Sequence, residues 1–223
     1  MALAPGDSKV EKERAEVTAE ELLDVEDRVR ALHAQANMRQ AVTVLLEAYG
    51  RELLGFLITR LRDHDAAREV FGDFAEDLWK GFPAFRWECS ARVWCYTLAR
   101  HAASRHVQQQ RRRSAHNVPL STAGPISEIA ERVHTETSIA LKTETKSRIS
   151  QLREQLPVDD QTLLILRVNR QLRWEEIAQV MLFECVAEPA ALKAGAARLR
   201  KRFQLAKEKL RRMALEAGIL EGD

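Results

Sequence analysis

A chain of 223 residues holds one large domain or two small ones, and its 45% apolar and 30% charged residues exclude the apolar-poor, single-sign composition of disorder. Three cysteines without a C-x-x-C and six histidines without ligand spacing exclude a recognisable metal centre and indicate no disulfide framework; no apolar run approaches the ~20 residues that span a bilayer, and the N-terminus lacks a leader core, so a cytoplasmic protein without membrane insertion is expected. The net charge is only +2, yet acids crowd residues 7–27 while residues 100–113 and 193–212 are basic, and such local basic clusters are the electrostatic footprint of a polyanion.

With nine glycines, six prolines and long stretches of Ala, Leu, Glu, Arg and Gln, the propensities predict helix throughout and almost no strand. The opening residues to about Val17 are polar and read as frayed. Thr18 and Glu21 form a capping-box pattern, after which Leu22, Val25, Val29 and Leu32 define an acidic helix. Residues 1–38 are thus read as an extension with an acidic helix. From Arg39 the stripe Val42, Leu45, Leu46, Tyr49, Leu53, Phe56, Leu57 and Leu61 predicts one long amphipathic helix. Asp63-His64-Asp65 interrupts it. Val70, Phe71, Phe74, Leu78 and Trp79 mark the next helix, closed by Gly81 and Pro83. Residues 85–90 are a short loop, and a third helix runs from about Ala91 to Gln110 with Val93, Trp94, Leu98, Ala102 and Val107 inward. Together residues 39–113 predict a compact helical bundle.

Asn117, Pro119, Ser121, Thr122, Gly124 and Pro125 break any period, and a polar, threonine-rich helical stretch follows, so residues 114–147 are read as a flexible linker. Residues 148–223 form the second module. Leu152 and Leu156 precede Pro157, and Asp159 is placed to cap a helix carrying Leu163, Leu164, Leu166 and Val168. A short helix from Trp174 to Met181 and an irregular segment lead to Pro189, which suits a first helical position. The last helix buries Leu192, Ala196, Leu199, Phe203, Ala206, Leu210 and Met213. Its other faces carry Lys193, Arg198, Arg200, Lys201, Arg202 and Lys207. A short helix, a turn and a basic helix make a helix-turn-helix, whose second helix enters the major groove. The fold class is therefore all-α, two small bundles on a linker. No G-x-S-x-G, H-E-x-x-H or phosphate-cradling glycine loop is present, so neither an enzyme nor a cofactor is expected.

Three stretches in order, residues 85–100 (FRWECSARVWCYTLAR), Val70-Phe71-Gly72-Asp73-Phe74 with Trp79 and Lys80, and Leu156-Pro157 with Trp174-Glu175-Glu176-Ile177-Ala178, Leu192-Lys193 and residues 198–203, resemble the extracytoplasmic-function sigma factors of bacterial RNA polymerase. The resemblance covers roughly residues 40–110 and 148–212. It implies core RNA polymerase and promoter DNA as partners, with the first module on the clamp helices of the largest subunit and the second at the flap. It also implies regulation by an anti-sigma factor. Asp73, Glu76 and Trp79 would then lie on the polymerase-docking helix, where carboxylates meet clamp arginines around an apolar anchor.

Trp87, Glu88, Cys89 and Ser90 would line the loop that captures a flipped base during promoter opening. Arg92, Arg100 and Arg105 would neutralise the strand backbone. In the major groove Lys193 would meet a base edge, while Arg198, Arg200 and Arg202 meet phosphates. Departures from the family pattern are Ala66-Ala67-Arg68-Glu69 at the start of the docking helix, Gly72 for a glutamine, Arg173 for a capping serine, a longer segment between Met181 and Lys193, and Gly195 for an arginine. Gly72, Gly195 and the longer segment also fit a sigma-like interaction protein that does not initiate transcription. A helix-turn-helix activator would explain the second module but not residues 85–100.

Overall fold

The computed structural model describes residues 19–113, 148–183 and 188–220. Every regular element among the described residues is helical. The expected linker, its threonine-rich stretch, the opening segment and Thr18 of the capping box lie outside the described residues.

The first bundle comprises α1 (Ala19–Ala34), α2 (Met38–Leu61), α3 (His64–Gly81), a 3-10 turn (Phe82–Ala84) and α4 (Ala91–Arg113). Asn37 caps α2 by accepting the Gln40 amide at 3.4 Å and donating to the Gln40 side chain at 2.8 Å. The expected stripe of α2 is buried from Val42 to Leu57. Arg62, in the left-handed region at φ 58, ends the helix by donating its amide to the Ile58 carbonyl. Asp63 at once caps α3, its carboxylate accepting the amides of Asp65 at 2.9 Å and Ala66 at 3.1 Å. The Asp63-His64-Asp65 break is thus a C-cap followed directly by an N-cap. Val70, Phe71, Phe74 and Leu78 then turn inward from α3 onto α2 and α4.

The acidic first helix is built into this bundle. Val29 is fully buried, and Val25 and Leu32 pack against the same apolar cluster.

The second bundle comprises α5 (Arg148–Arg153), α6 (Val158–Leu164), which runs on as a π-turn (Ile165–Asn169), α7 (Trp174–Ala178) with its own π-turn (Gln179–Phe183), and α8 (Pro189–Glu216). The cap of α6 falls on Pro157, not Asp159: the Pro157 carbonyl accepts the amides of Asp160 and Gln161, which puts Asp159 in the first turn. At α7 the missing serine is compensated from inside the helix. The Glu176 carboxylate accepts the Arg173 backbone amide at 2.7 Å and its guanidinium at 3.2 Å. Pro189 occupies the expected first position of α8.

The two bundles pack on each other through one continuous apolar cluster that includes Phe56 and Tyr96 of the first and Leu163, Leu166 and Ile177 of the second. Charged groups fasten its rim. Arg60 donates to the Thr162 hydroxyl at 3.3 Å and lies 3.7 Å from Asp159, and Arg62 donates to the Leu156 carbonyl at 3.3 Å. Arg170 donates to the Glu52 carbonyl at 3.4 Å, with another guanidinium nitrogen 3.9 Å from the Glu52 carboxylate.

Candidate nucleic-acid interface

The loop between the 3-10 turn and α4 grows out of an aromatic cluster. Phe85 stacks on Trp94 with ring centroids 4.6 Å apart, and Phe82 lies 6.0 Å from the Trp94 ring. Trp94 therefore anchors the loop from the helix side. Gly81 permits this packing, because a Cβ there would stand 3.2 Å from the Trp94 ring.

Trp87 has φ 62, the left-handed region that bulky residues rarely enter. Its ring is half-buried and lies against α1. The Arg30 guanidinium sits over it, 4.5 Å from the centroid, and the His33 ring meets it edge-on at 5.7 Å. The Trp87 indole N–H reaches His33 Nδ1 at 3.5 Å, and His33 Nε2 lies 3.1 Å from the Phe82 carbonyl oxygen. One neutral tautomer, protonated at Nε2, serves both contacts.

Glu88 is exposed and lies 3.7 Å from Arg86. Cys89 is disulfide-bonded, which corrects the expectation that no disulfide is indicated; Cys95 is free, fully buried, and its thiol is pushed up by that burial. Cys185 lies outside the described residues. Ser90 caps α4, its hydroxyl accepting the Val93 amide at 3.2 Å. A second cap comes from α1: the Glu26 carboxylate accepts the amides of Ala91 and Arg92, each at 2.9 Å. Helix N-termini attract negative charge, so Glu26 fastens α1 to the loop's exit.

The basic residues expected to meet the strand are engaged within the protein. Arg92 makes a two-pronged pair with Glu52 at 2.9 Å, both side chains 13% exposed; burial disfavours its charge, but Glu52 outweighs this and raises its pKa overall. Arg100 donates to the Met181 carbonyl at 3.1 Å, across the bundle interface, and Arg105 pairs with Asp77. Sequence reasoning missed Arg30, His33, Glu26, Glu52 and Arg170. The one available signal was the three-residue spacing of Arg30 and His33, which puts a cation and an imidazole on one helix face.

On α3, Asp73 and Glu76 are exposed, Trp79 is partly buried against the core, and Glu76 pairs with Lys80 at 2.6 Å. Although Asp73 is exposed, its carboxyl is partly desolvated on the helix surface, which raises its pKa, helped by Glu69, Asp77 and Glu76 and opposed by Arg105. A Cβ at Gly72 would meet nothing within 4 Å, so no close contact on this face requires a glycine.

On α8, Lys193 and Arg198 are exposed. Arg200 lies over the Trp174 ring, 5.7 Å from its centroid, and 3.7 Å from Glu175, while Arg202 donates to Asp160 at 2.5 Å. Gly195 is buried with Ala196 and Leu199, so the position where an arginine was expected belongs to the packed face of α8.

Residues 45–113, which span most of α2 and all of α3 and α4, match the Sigma-70 region 2 family. Among curated proteins the chain is 27% identical to RNA polymerase sigma factor YlaC of Bacillus subtilis over 148 residues, 64% of this chain and 80% of the relative. It is 24% identical to RNA polymerase sigma-H factor of Pseudomonas aeruginosa over 163 residues, 72% of this chain and 84% of the relative. No helix among the described residues is long and apolar enough to cross a membrane.

Proposed function

Because the chain belongs to the sigma-70 class of RNA polymerase sigma factors, we propose that its first bundle docks on core polymerase and captures the melted promoter strand while α8 reads duplex DNA upstream. The chain directs promoter-dependent initiation, and the chemistry of RNA synthesis stays with the polymerase, which places its work in the cytoplasm. The observation that carries this reading is the match of residues 45–113 to the Sigma-70 region 2 family, on the same bundle that holds Trp87 half-buried in a left-handed backbone turn.

The acidic outer face of α3, with Asp73 and Glu76 around Trp79, is the docking surface for arginines of the polymerase clamp. Trp87 offers a ring on which an unpaired base stacks, a contact worth roughly 1–3 kcal/mol and tolerant of base identity. Glu88 beside it supplies acceptors for the base's donors. Lys193 at the exposed start of α8 meets a base edge, and Arg198 a phosphate. Arg200 and Arg202 orient α8 through Glu175 and Asp160, Arg92 is held by Glu52 inside the first bundle, and Arg100 fastens the first bundle to the second. The second bundle reaches the polymerase flap, and a regulator that clamps the bundles together serves as anti-sigma factor.

Run-off transcription with the cognate core polymerase, on promoters selected from a randomised library, tests the reading. Promoter-specific transcripts requiring the added chain are expected, with Lys193→Ala weakening one promoter class more than others. Polymerase binding without any specific transcript would instead identify an interaction protein, and DNA binding without polymerase an activator.

A further inference from the structure

The Trp87 face offered to a flipped base is not bare, because the Arg30 guanidinium lies 4.5 Å above it. Arg30 is exposed and has no ion-pair partner among the described residues, whereas Arg92, Arg100 and Arg105 are bound to Glu52, the Met181 carbonyl and Asp77. The cation closest to the capture ring is thus the one whose donors the protein leaves available. A planar guanidinium stacks on an aromatic face and also matches a phosphate with its fork of donors. His33, one helical turn further on, fixes the indole edge through Nδ1 while Nε2 holds the backbone of the 3-10 turn at Phe82. The helix presenting both residues is fastened by Glu26 to the start of α4, so its distance from the ring is set by the fold.

We propose that Arg30 is a nucleic-acid contact of α1: it stacks on Trp87 in the free protein and turns to the phosphate of the captured nucleotide when the base takes over the ring face. This deepens the strand-capture reading and rests on it. α1 is then one wall of the capture site. Replacing a cation–aromatic contact by a base stack plus a phosphate contact keeps both the ring and the guanidinium occupied, so capture leaves neither group without a partner.

The test uses the full chain bound to core polymerase and a fluorescent single-stranded oligonucleotide carrying the non-template strand of a selected promoter. Affinity is measured across a salt series. Arg30→Ala is expected to weaken strand binding several-fold at low salt and to reduce the salt slope by about 0.7, the value for one lost phosphate on a single strand. Arg30→Lys, which keeps the charge without the planar fork, retains the slope while changing Trp87 fluorescence. An unchanged slope in Arg30→Ala would make Arg30 a structural prop, and tighter binding would make it only a competitor of the base; either overturns the proposal. Trp87→Ala reports separately on the underlying reading. Wild-type strand affinity there removes the capture loop itself, whereas a loss there with Arg30→Ala unaffected removes only the role of Arg30. Thermal melts of each variant guard against misfolding, since Arg30 is exposed and its removal should leave the transition in place.

Discussion

Trp87 sits in a backbone region that costs an L-residue with a Cβ roughly 1–2 kcal/mol. A purely structural turn would take glycine there. The comparison of Trp87→Gly with Trp87→Ala separates backbone from ring: both remove the indole, but only glycine relieves the left-handed strain. Trp87→Gly should be more stable than Trp87→Ala by about 1 kcal/mol in denaturant unfolding, while both lose promoter opening equally. Asp73 shows the same tension between stability and function. Its folded pKa is raised by partial desolvation of the carboxyl and by neighbouring acids, so the folded state holds this proton more tightly than the unfolded state does. The stabilisation from that proton is present at acid pH and lost as pH rises through the folded pKa; at neutral pH the ionised group is a cost. Asp73→Asn should therefore leave neutral-pH stability equal or slightly higher, within about 0.5 kcal/mol, and flatten this part of the pH dependence in thermal melts. If the proposed docking role holds, the same substitution should weaken polymerase binding, because a neutral amide gives a partner arginine less than a carboxylate does.

At the scale of the element, α1 is what the Trp87 loop rests on. Glu26 accepts two backbone amides at the start of α4, so Glu26→Ala should cost about 1–2 kcal/mol and lower Tm by several degrees. Promoter opening should weaken with it, since α1 also carries Arg30 and His33. An undiminished Tm would mean that water caps α4 equally well. The sequence made α2, α3, α4 and α8 legible because their apolar residues recur at helical spacing, and it located the loop through its aromatic residues. The place of α1 was not legible. Glu26 and Arg30 are charges that read as a solvated face, and only the arrival of the α4 N-terminus and the Trp87 ring gives them partners. The same reason hid the internal duties of Arg92, Arg100 and Arg105: a basic run states charge, not which guanidinium meets a protein carboxylate or carbonyl.

For the whole molecule, two bundles were readable from the break in period after residue 113, but their mutual packing was not, because Leu163 and Ile177 look alike whether they fill their own bundle or bridge two. Glu52 is the charged hub of that packing, bound by Arg92 from its own bundle and approached by Arg170 from the other. Glu52→Gln leaves a buried arginine uncompensated and should cost roughly 3 kcal/mol. Arg170→Ala removes only the contact across the interface. It should raise the radius of gyration and speed proteolysis between the bundles while preserving helix content; unchanged scattering would show that the apolar cluster alone holds them. Both bundles act together at a promoter in the proposed role, and permanganate reactivity of unpaired thymines on a selected promoter with cognate core polymerase reads that opening. Reactive thymines are expected only when the chain is added, with their loss in Trp87→Ala while polymerase binding is retained; thymines equally reactive with Trp87→Ala, or none with the wild-type chain, would rule out strand capture at Trp87.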